Sequence, residues 1–338
     1  MKRLNAITDV PGIRVGHATN LKALTGCTVI LCEEGAIGGV DIRGTAAGTR
    51  QIDALMFSHL VDKIHAILLA GGSAFGLDAA TGVMKYLEER GKGFDVGKTK
   101  IPIVPAAVIF DLNIGDFRVR PDRLMGYQAC LNASRKVEEG SVGAGTGATV
   151  GKLFGIARAM KGGVGTSSVQ GPNGLIVGGL VVVNAFGDVF DLGSKKILAG
   201  ARKSKESPAF ADSSKWMKQG ATRKEFRGTK SSESTAFNTT LGVVATNANL
   251  TKKEVHQVAQ IAHSGLAKVI SPLHTTFDGD LVFAISYGKK KGDVNTIGLL
   301  GETALTQAVK RAVTRANGFG EIPAHRDLSQ KIEVSGLS

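Results

Sequence analysis

The residue best suited to covalent chemistry lies where a polar segment runs into an apolar one. The tripeptide Asn238-Thr239-Thr240 precedes a β-branched run, a pattern that predicts a buried strand with hydroxyl groups at its start. Taken alone, the tripeptide is also typical of an ordinary turn. Cleavage of the Asn238–Thr239 bond would change its chemistry, because the new α-amine, with a pKa of about 7.7 to 8.0, could accept the proton of the Thr239 hydroxyl. One residue would then supply both nucleophile and base.

Other polar residues stand beside predicted strands or glycine-rich turns. Asn184 follows a long apolar run, and Lys152 ends a stretch of small residues that lets backbone approach a ligand closely. Asp278 and Asp280 flank one glycine immediately before another apolar run. Taken alone, the Asn184 pattern favours a turn, and a glycine-rich loop that ends in an exposed lysine is common. Asp-Gly-Asp is also typical of a turn, and it offers too few oxygen ligands for a calcium loop. The residue types alone therefore leave their roles open.

Two further patterns suggest a serine nucleophile and a metal site, but neither matches the motif that such a site requires. Ser73 lies in a glycine turn between a predicted strand and helix, but the turn matches neither G-x-S-x-G nor a nucleotide-binding glycine motif. We interpret Ser73 as a turn or pocket-wall residue. His256 and His263 lie seven residues apart on a predicted helix, and the helix pattern places no carboxylate or cysteine beside them. We therefore predict that they are packing or surface residues and that they bind no metal.

The elements that must position these residues alternate between strands and helices. Strands are predicted over residues 12–18, 26–32, 63–70, 101–112 and 175–183, from Thr239 onward and directly after Asp280. Residues 38–50 are predicted as a strand that ends in a polar loop. Helices are predicted over residues 77–90, 118–136, 251–268 and 301–316, the third beginning with a capping box of Thr251 and Glu254.

Composition limits the class of protein. With 338 residues and 43% hydrophobic residues, the chain can bury a full core, and its 45 glycines indicate many tight turns. Three cysteines without metal-ligand spacing argue against a disulfide framework and favour a reducing compartment. There is no apolar region after the basic start and no run approaching about 18 apolar residues, so we expect a cytoplasmic protein with no membrane partner.

The net charge of +13 is unevenly distributed. Much of the excess lies between Lys203 and Lys230, in a segment that also contains serine, glycine and proline and few aromatic residues. A nucleic-acid site would combine such charge with stacking aromatics. We therefore predict a solvated, flexible connector over about residues 203–232 and no nucleic-acid partner.

Taken together, the motifs resemble those of the DmpA family of self-processing amidohydrolases. That family includes L-aminopeptidase/D-esterases, β-peptidyl aminopeptidases and 6-aminohexanoate-oligomer (nylon oligomer) hydrolases. The resemblance runs from Pro11-Gly12-Ile13 to the final helix, and its motifs occur in order: Gly143-Ala144-Gly145 with Lys152, Asn184, Asn238-Thr239-Thr240, and His274-Thr275-Thr276-Phe277-Asp278-Gly279-Asp280.

The resemblance implies an α/β fold, a four-layer αββα sandwich like that of Ntn hydrolases but with different strand connectivity. It implies a single domain over residues 1–338 that cuts itself before Thr239 into an α chain, 1–238, and a β chain, 239–338. The two chains would remain associated and assemble as a homotetramer of αβ units. No cofactor or metal is implied.

The nylon-oligomer hydrolase branch is the most similar, and it implies a role for each site residue. Thr239 would be the nucleophile, Asp278 and Asp280 would orient its amine and hydroxyl, and Asn184 would donate to the oxyanion. Lys152 would either add positive charge near that oxygen or lower the pKa of the amine. In one respect the chain departs from several relatives, since Phe110 stands where they carry a tyrosine.

Three functions remain in competition at this stage. The first is hydrolysis of amide oligomers or short peptides, either on 6-aminohexanoate chains, which Asp-Gly-Asp and Phe110 favour, or as an L-aminopeptidase/D-esterase or β-peptidyl aminopeptidase. The second is acyl transfer of the ornithine acetyltransferase type, which shares a threonine nucleophile. The third is a non-catalytic basic binding protein, which would have no reason to cut itself.

Overall fold

The computed structural model describes residues 3–222 and 238–328. Its α-helices are α1 (Ala79–Glu88), α2 (Arg123–Leu131), α3 (Ser213–Lys218), α4 (Lys252–Ala267) and α5 (Val294–Thr314). Its strands are β1 (Arg14–Asn20), β2 (Thr25–Ile42), β3 (Gly48–Arg50), β4 (Lys63–Ala70), β5 (Phe94–Asp95), β6 (Lys100–Ile101), β7 (Ala106–Val108), β8 (Thr149–Val150), β9 (Met160–Lys161), β10 (Gly163–Gln170), β11 (Ile176–Asn184), β12 (Asp188–Phe190), β13 (Ile197–Ala199), β14 (Thr239–Ala248), β15 (Ile270–Ser271) and β16 (Leu281–Lys290).

The largest sheet has the strand order β10-β11-β14-β16-β2-β4-β7-β3, with β1 also paired to β2. Strand β2 joins two halves of this sheet, because its C-terminal part pairs with β16 and its N-terminal part pairs with β1 and β4. Its pairing with β4 shifts in register between Leu31 and Ala36, where Gly35 has a φ of +85°. Side chains disfavour that φ, so the glycine permits the irregularity at which β2 changes partners.

The two halves of the sheet pack face to face and each is covered by a helix pair. A buried apolar cluster between them combines Ile30 and Ile67 from one half with Leu241 and Phe283 from the other. A second cluster lies between the β10-β11-β14-β16 half and helices α4 and α5, and a third between β1, β2 and β4 and helices α1 and α2. The predicted αββα sandwich is thereby confirmed.

Some predicted strand and helix boundaries were wrong, because proline residues interrupt a strand or a capping side chain sets the start of a helix. The apolar run 101–112 forms a strand only at β6 and β7, because Pro102 and Pro105 cannot donate to a ladder. Helix α2 begins at Arg123, where the Asp122 side chain accepts a hydrogen bond from the backbone N–H of Met125. Helix α4 has the predicted capping box of Thr251 and Glu254.

Part of the predicted basic connector has regular structure. Helix α3 lies within it, and both the N–H and the hydroxyl of Ser213 donate to the buried Asp188 carboxylate, at 2.6 and 2.9 Å. Residues 223–232 of the connector lie outside the described residues. Within the described part of the chain, no helix combines the length and apolar character needed to cross a bilayer.

Candidate active site

Three adjacent strands bring the predicted site residues together. In the antiparallel pair β11 and β14, Asn184 lies directly opposite Thr239. In the parallel pair β14 and β16, Leu241 lies opposite Leu281, which places Asp278-Gly279-Asp280 beside the start of β14. Residues that are distant in sequence thus meet at one end of a buried sheet because of strand register.

The hydroxyl of Thr239 lies beside the bond that the sequence predicts to be cut. Thr239 is 3% exposed, and its Oγ1 donates to the carbonyl oxygen of Asn238 at 2.6 Å. The N–H of Gly279 donates to the same oxygen at 2.8 Å, and the N–H of Asn238 donates to the carbonyl of Phe277. An N–H aimed at a carbonyl oxygen is the arrangement that stabilises negative charge developing there.

Gly279 approaches Thr239 so closely that a side chain would not fit. A Cβ at this position would lie 2.7 Å from the carbonyl oxygen of Ala46 and 2.9 Å from Thr239 Oγ1. The glycine between the two aspartates is therefore required for packing against Thr239, in addition to supplying the N–H.

Asp280 is fully buried and accepts hydrogen bonds at both oxygens. Its Oδ1 accepts the N–H of Thr240 at 2.7 Å, so it fixes the backbone next to Thr239. Its Oδ2 lies 3.1 Å from the backbone N and 3.0 Å from the ring Nδ1 of His274. Because an ionised carboxylate can only accept, Nδ1 of His274 is assigned as the donor.

Asp278 differs from Asp280 in having an oxygen available. Its Oδ2 accepts the N–H and the hydroxyl of Thr275 at 2.8 and 2.6 Å, whereas its buried Oδ1 has no hydrogen-bond partner among the described residues. Burial, followed by the nearby charge of Asp280, raises the pKa of Asp278 to about 6, against the opposing effects of Thr275 and Lys152. Asp278 is therefore suited to exchange a proton near neutral pH.

Lys152 fixes the orientation of the Asn184 amide. Its Nζ donates to Asn184 Oδ1 at 2.7 Å and to the Asn184 carbonyl at 3.0 Å, and the N–H of Thr149 donates to the same Oδ1 at 3.0 Å. With Oδ1 accepting from these donors, Nδ2 points toward the carbonyl of Phe110, 3.3 Å away. The amide nitrogen has two hydrogens, so it can also donate to a bound oxyanion.

A cleft of about 300 Å³ opens beside Thr239. Its largely apolar lining consists of Ala46, Ala47, Gly48, Ser73, Ala74, Val108, Ile109, Phe110 and Thr239. Ser73 is therefore a pocket-wall residue, as predicted. Ser73 and Thr239 carry the polar side chains of this described lining, and no acidic side chain belongs to it. A cleft of this kind suits an apolar acyl group.

The histidines correct one sequence interpretation. His263, predicted to lack a carboxylate partner, is fully buried and its Nδ1 lies 2.8 Å from Asp41 Oδ2. No local pattern could reveal this contact, because the two residues are 222 positions apart. His256 contacts the backbone carbonyls of Val40 and Leu55. Among the described residues, no cluster of three or more histidine, cysteine, aspartate and glutamate side chains could hold a metal ion.

Comparison with known proteins gives one family and several similar proteins. The model of peptidase family S58 matches residues 5–319. An uncharacterized aminopeptidase of Mycobacterium tuberculosis is 39% identical over 352 residues, covering 96% of this chain and 98% of that protein. A 6-aminohexanoate-oligomer endohydrolase of Paenarthrobacter ureafaciens is 33% identical, covering 82% of this chain and 74% of that protein.

A similar fold occurs in a solved structure. The L-aminopeptidase D-Ala-esterase/amidase of Ochrobactrum anthropi, described as a variant of the Ntn-hydrolase fold, superposes with a TM-score of 0.70 at 19% identity. The match covers 98% of this chain and 94% of that one. It supports the Ntn-hydrolase-like architecture of the sandwich described above.

Proposed function

Because this chain belongs to peptidase family S58 and is a peptide or amide hydrolase, we propose that Thr239 becomes its N-terminal nucleophile by self-cleavage of the Asn238–Thr239 bond. The observation that carries the proposal is the register of β11, β14 and β16, which gathers Asn184, Thr239 and the Asp278-Gly279-Asp280 segment at one end of the sheet. These are the groups that acyl transfer through a threonine requires.

Self-cleavage begins with attack of Thr239 Oγ1 on the carbonyl carbon of Asn238. The hydroxyl proton passes to Asp278, and the negative charge on the Asn238 oxygen is stabilised by the N–H of Gly279, which already donates to that oxygen. The C–N bond then breaks, its nitrogen takes up a proton, and an ester joins Asn238 to Thr239. Water hydrolyses this ester and leaves a carboxyl group on Asn238 and a free amine on Thr239.

Turnover repeats this chemistry on a substrate amide. The α-amine accepts the hydroxyl proton as Oγ1 attacks, Asn184 Nδ2 donates to the oxyanion, and the resulting ammonium returns the proton to the leaving amine. Water then releases the acyl group. The contacts of Lys152 favour a role that acts through Asn184, because its ammonium holds the amide oxygen and leaves the amide nitrogen directed toward Phe110, a residue that lines the cleft.

We propose that the substrates are linear amide oligomers of the 6-aminohexanoate type. An aminopeptidase must bind a free substrate amine near the scissile bond, which calls for an acceptor or carboxylate in the cleft. The described lining contains no acidic side chain and is dominated by small apolar residues, which suit an unbranched methylene chain. Aminopeptidase action is the second candidate, favoured by the 39% identity to an uncharacterized aminopeptidase of Mycobacterium tuberculosis.

Parallel assays with a 6-aminohexanoate oligomer and an amino-acid p-nitroanilide test the substrate class. We expect kcat/KM for the oligomer to exceed that for the anilide by about tenfold or more, since one or two well-placed apolar contacts contribute about that much. The Thr239→Ala protein, assayed under the same conditions, gives the background rate of hydrolysis for each substrate. Efficient cleavage of the anilide with no attack on the oligomer would contradict the oligomer preference and support the aminopeptidase.

A further inference from the structure

A row of acidic and histidine side chains leads away from the nucleophile through the protein interior. Asp280 contacts His274, with 3.0 Å between Oδ2 and Nδ1, and the rings of His274 and His263 meet edge to face with centroids 4.8 Å apart. His263 in turn contacts Asp41, whose Oδ2 also accepts the Nε–H of Arg43 at 2.7 Å. Asp280, which contacts the backbone next to the nucleophile, is thus connected through His274 and through His263 of α4 to Asp41 in β2.

Burial within this row favours a neutral His263. Burial opposes ionisation of Asp41, but the hydrogen bonds from His263 and Arg43 and the charge of Arg43 outweigh it, so the pKa of Asp41 is lowered. Burial lowers the pKa of His263 despite the Asp41 carboxylate. A neutral His263 imidazole adds no formal charge next to His274.

His274 holds Asp280 with two groups at once. Its backbone N–H and its ring Nδ1 both contact Oδ2, while the N–H of Thr240 occupies Oδ1. Its backbone has a φ of +56°, a left-handed conformation that is uncommon for non-glycine residues and that directs both groups to one oxygen. Asp280 is consequently provided with three N–H donors, as an acceptor-only carboxylate requires.

The two aspartates are therefore unlike each other despite being separated by one residue. Asp280 has donors at both oxygens, whereas Asp278 retains a buried oxygen without a partner among the described residues. Two adjacent carboxylates do not both ionise freely, so fixing the charge on one raises the proton affinity of the other. Besides Asp280, the charge of Lys152 acts on Asp278. The ring of His263 on α4 contacts His274, and Asp41 and Arg43 lie behind His263.

We propose that His274 is a positioning residue that holds Asp280 as an ionised acceptor, so that Asp278 takes the Thr239 hydroxyl proton during self-cleavage. The inference rests on the proposed function, because it concerns the two carboxylates beside the proposed nucleophile. Without the ring donor, the ionised form of the carboxylate pair has one hydrogen-bond donor fewer, so the pair takes up a proton at a higher pH.

The pH dependence of self-cleavage tests this directly, because the uncut chain has no Thr239 amine to titrate in the same range. Full-length chains made by cell-free translation are shifted to buffers from about pH 5 to 8, and their cleavage is followed by denaturing electrophoresis. The wild-type rate should fall toward acid with a midpoint near the Asp278 pKa of about 6. His274→Ala should move that midpoint up by about one pH unit.

Two further variants separate positioning from simple structural damage. His274→Asn keeps a donor near the Nδ1 position and tolerates a positive φ, so it should return the midpoint toward the wild-type value. His325→Ala removes another histidine whose Nδ1 contacts a backbone carbonyl, that of Leu198, and should leave the midpoint unchanged.

The outcomes distinguish the inference from the function it rests on. A His274→Ala chain that is cut with the wild-type midpoint would overturn the role of His274 and leave the Thr239 mechanism intact. A wild-type chain that is never cut at any pH would overturn both.

Discussion

The Thr239→Ala protein is expected to remain one uncut chain of 338 residues and to lose hydrolysis by about 10⁴-fold or more. The change removes the attacking oxygen for both self-cleavage and turnover, and with the bond intact no α-amine forms. It removes only a hydroxyl and a methyl at the end of a strand, so the protein should fold. Mass spectrometry of the purified variant and an amide-hydrolysis assay provide the two readouts.

Thr240→Val is a matched control on the same strand. The Thr240 side chain is equally buried, but its Oγ1 has no hydrogen-bond partner among the described residues, and its contact with Asp280 is made through the backbone. We expect this variant to be cut and active. Thr239→Ser should also be cut, because it retains the hydroxyl. Complete processing of Thr239→Ala would be incompatible with Thr239 as nucleophile.

Asn184→Ala should lower kcat by about 10²- to 10³-fold with little change in KM, since an oxyanion donor acts mainly in the transition state. The variant also deprives Lys152 of one acceptor, so thermal unfolding has to be measured with the kinetics. N-terminal sequencing of the variant shows whether the loss reflects turnover or incomplete processing.

Asn247→Ala is the matched control, because it also removes a hydrogen-bonded asparagine from β14 or its neighbouring strand but lies away from the candidate site. Asn247 lies near the other end of β14, where its amide donates to the Gly174 carbonyl at 3.0 Å and accepts the N–H of Ile176 at 2.8 Å. It should reduce stability without reducing kcat. If Asn184→Ala retained wild-type kcat, Asn184 would be a structural residue and another donor would have to serve the oxyanion.

Local patterns predicted the elements of the fold better than their connection. The capping box of Thr251 and Glu254 predicted helix α4 to within one residue at each end, because capping chemistry is local. The sequence suggested two separate strands over residues 26–32 and 38–50, whereas β2 runs continuously from Thr25 to Ile42. The pairing partners of a strand are residues distant in sequence. The continuity of β2 could therefore not be predicted from local sequence patterns.

The candidate site was predicted from ordered motifs more than from any single residue. Asn184, Lys152, Asp278 and Asp280 each had an equally good interpretation as turn residues, and only their combination with Thr239 indicated a site. The structure brings all five to one end of the sheet. The N–H of Gly279 and the contact of His274 with Asp280 were missed, because backbone donors and side-chain orientation leave no signature in composition or spacing.

Intact mass measurement of the purified wild-type protein under denaturing conditions tests the account most directly. We predict two polypeptides, residues 1–238 and 239–338, whose summed mass exceeds that of the uncut chain by one water molecule. N-terminal sequencing of the shorter one should begin Thr239-Thr240-Leu241. A single 35.2 kDa chain that hydrolyses amides at full rate would contradict the account, because Thr239 would then have no free amine to act as its base.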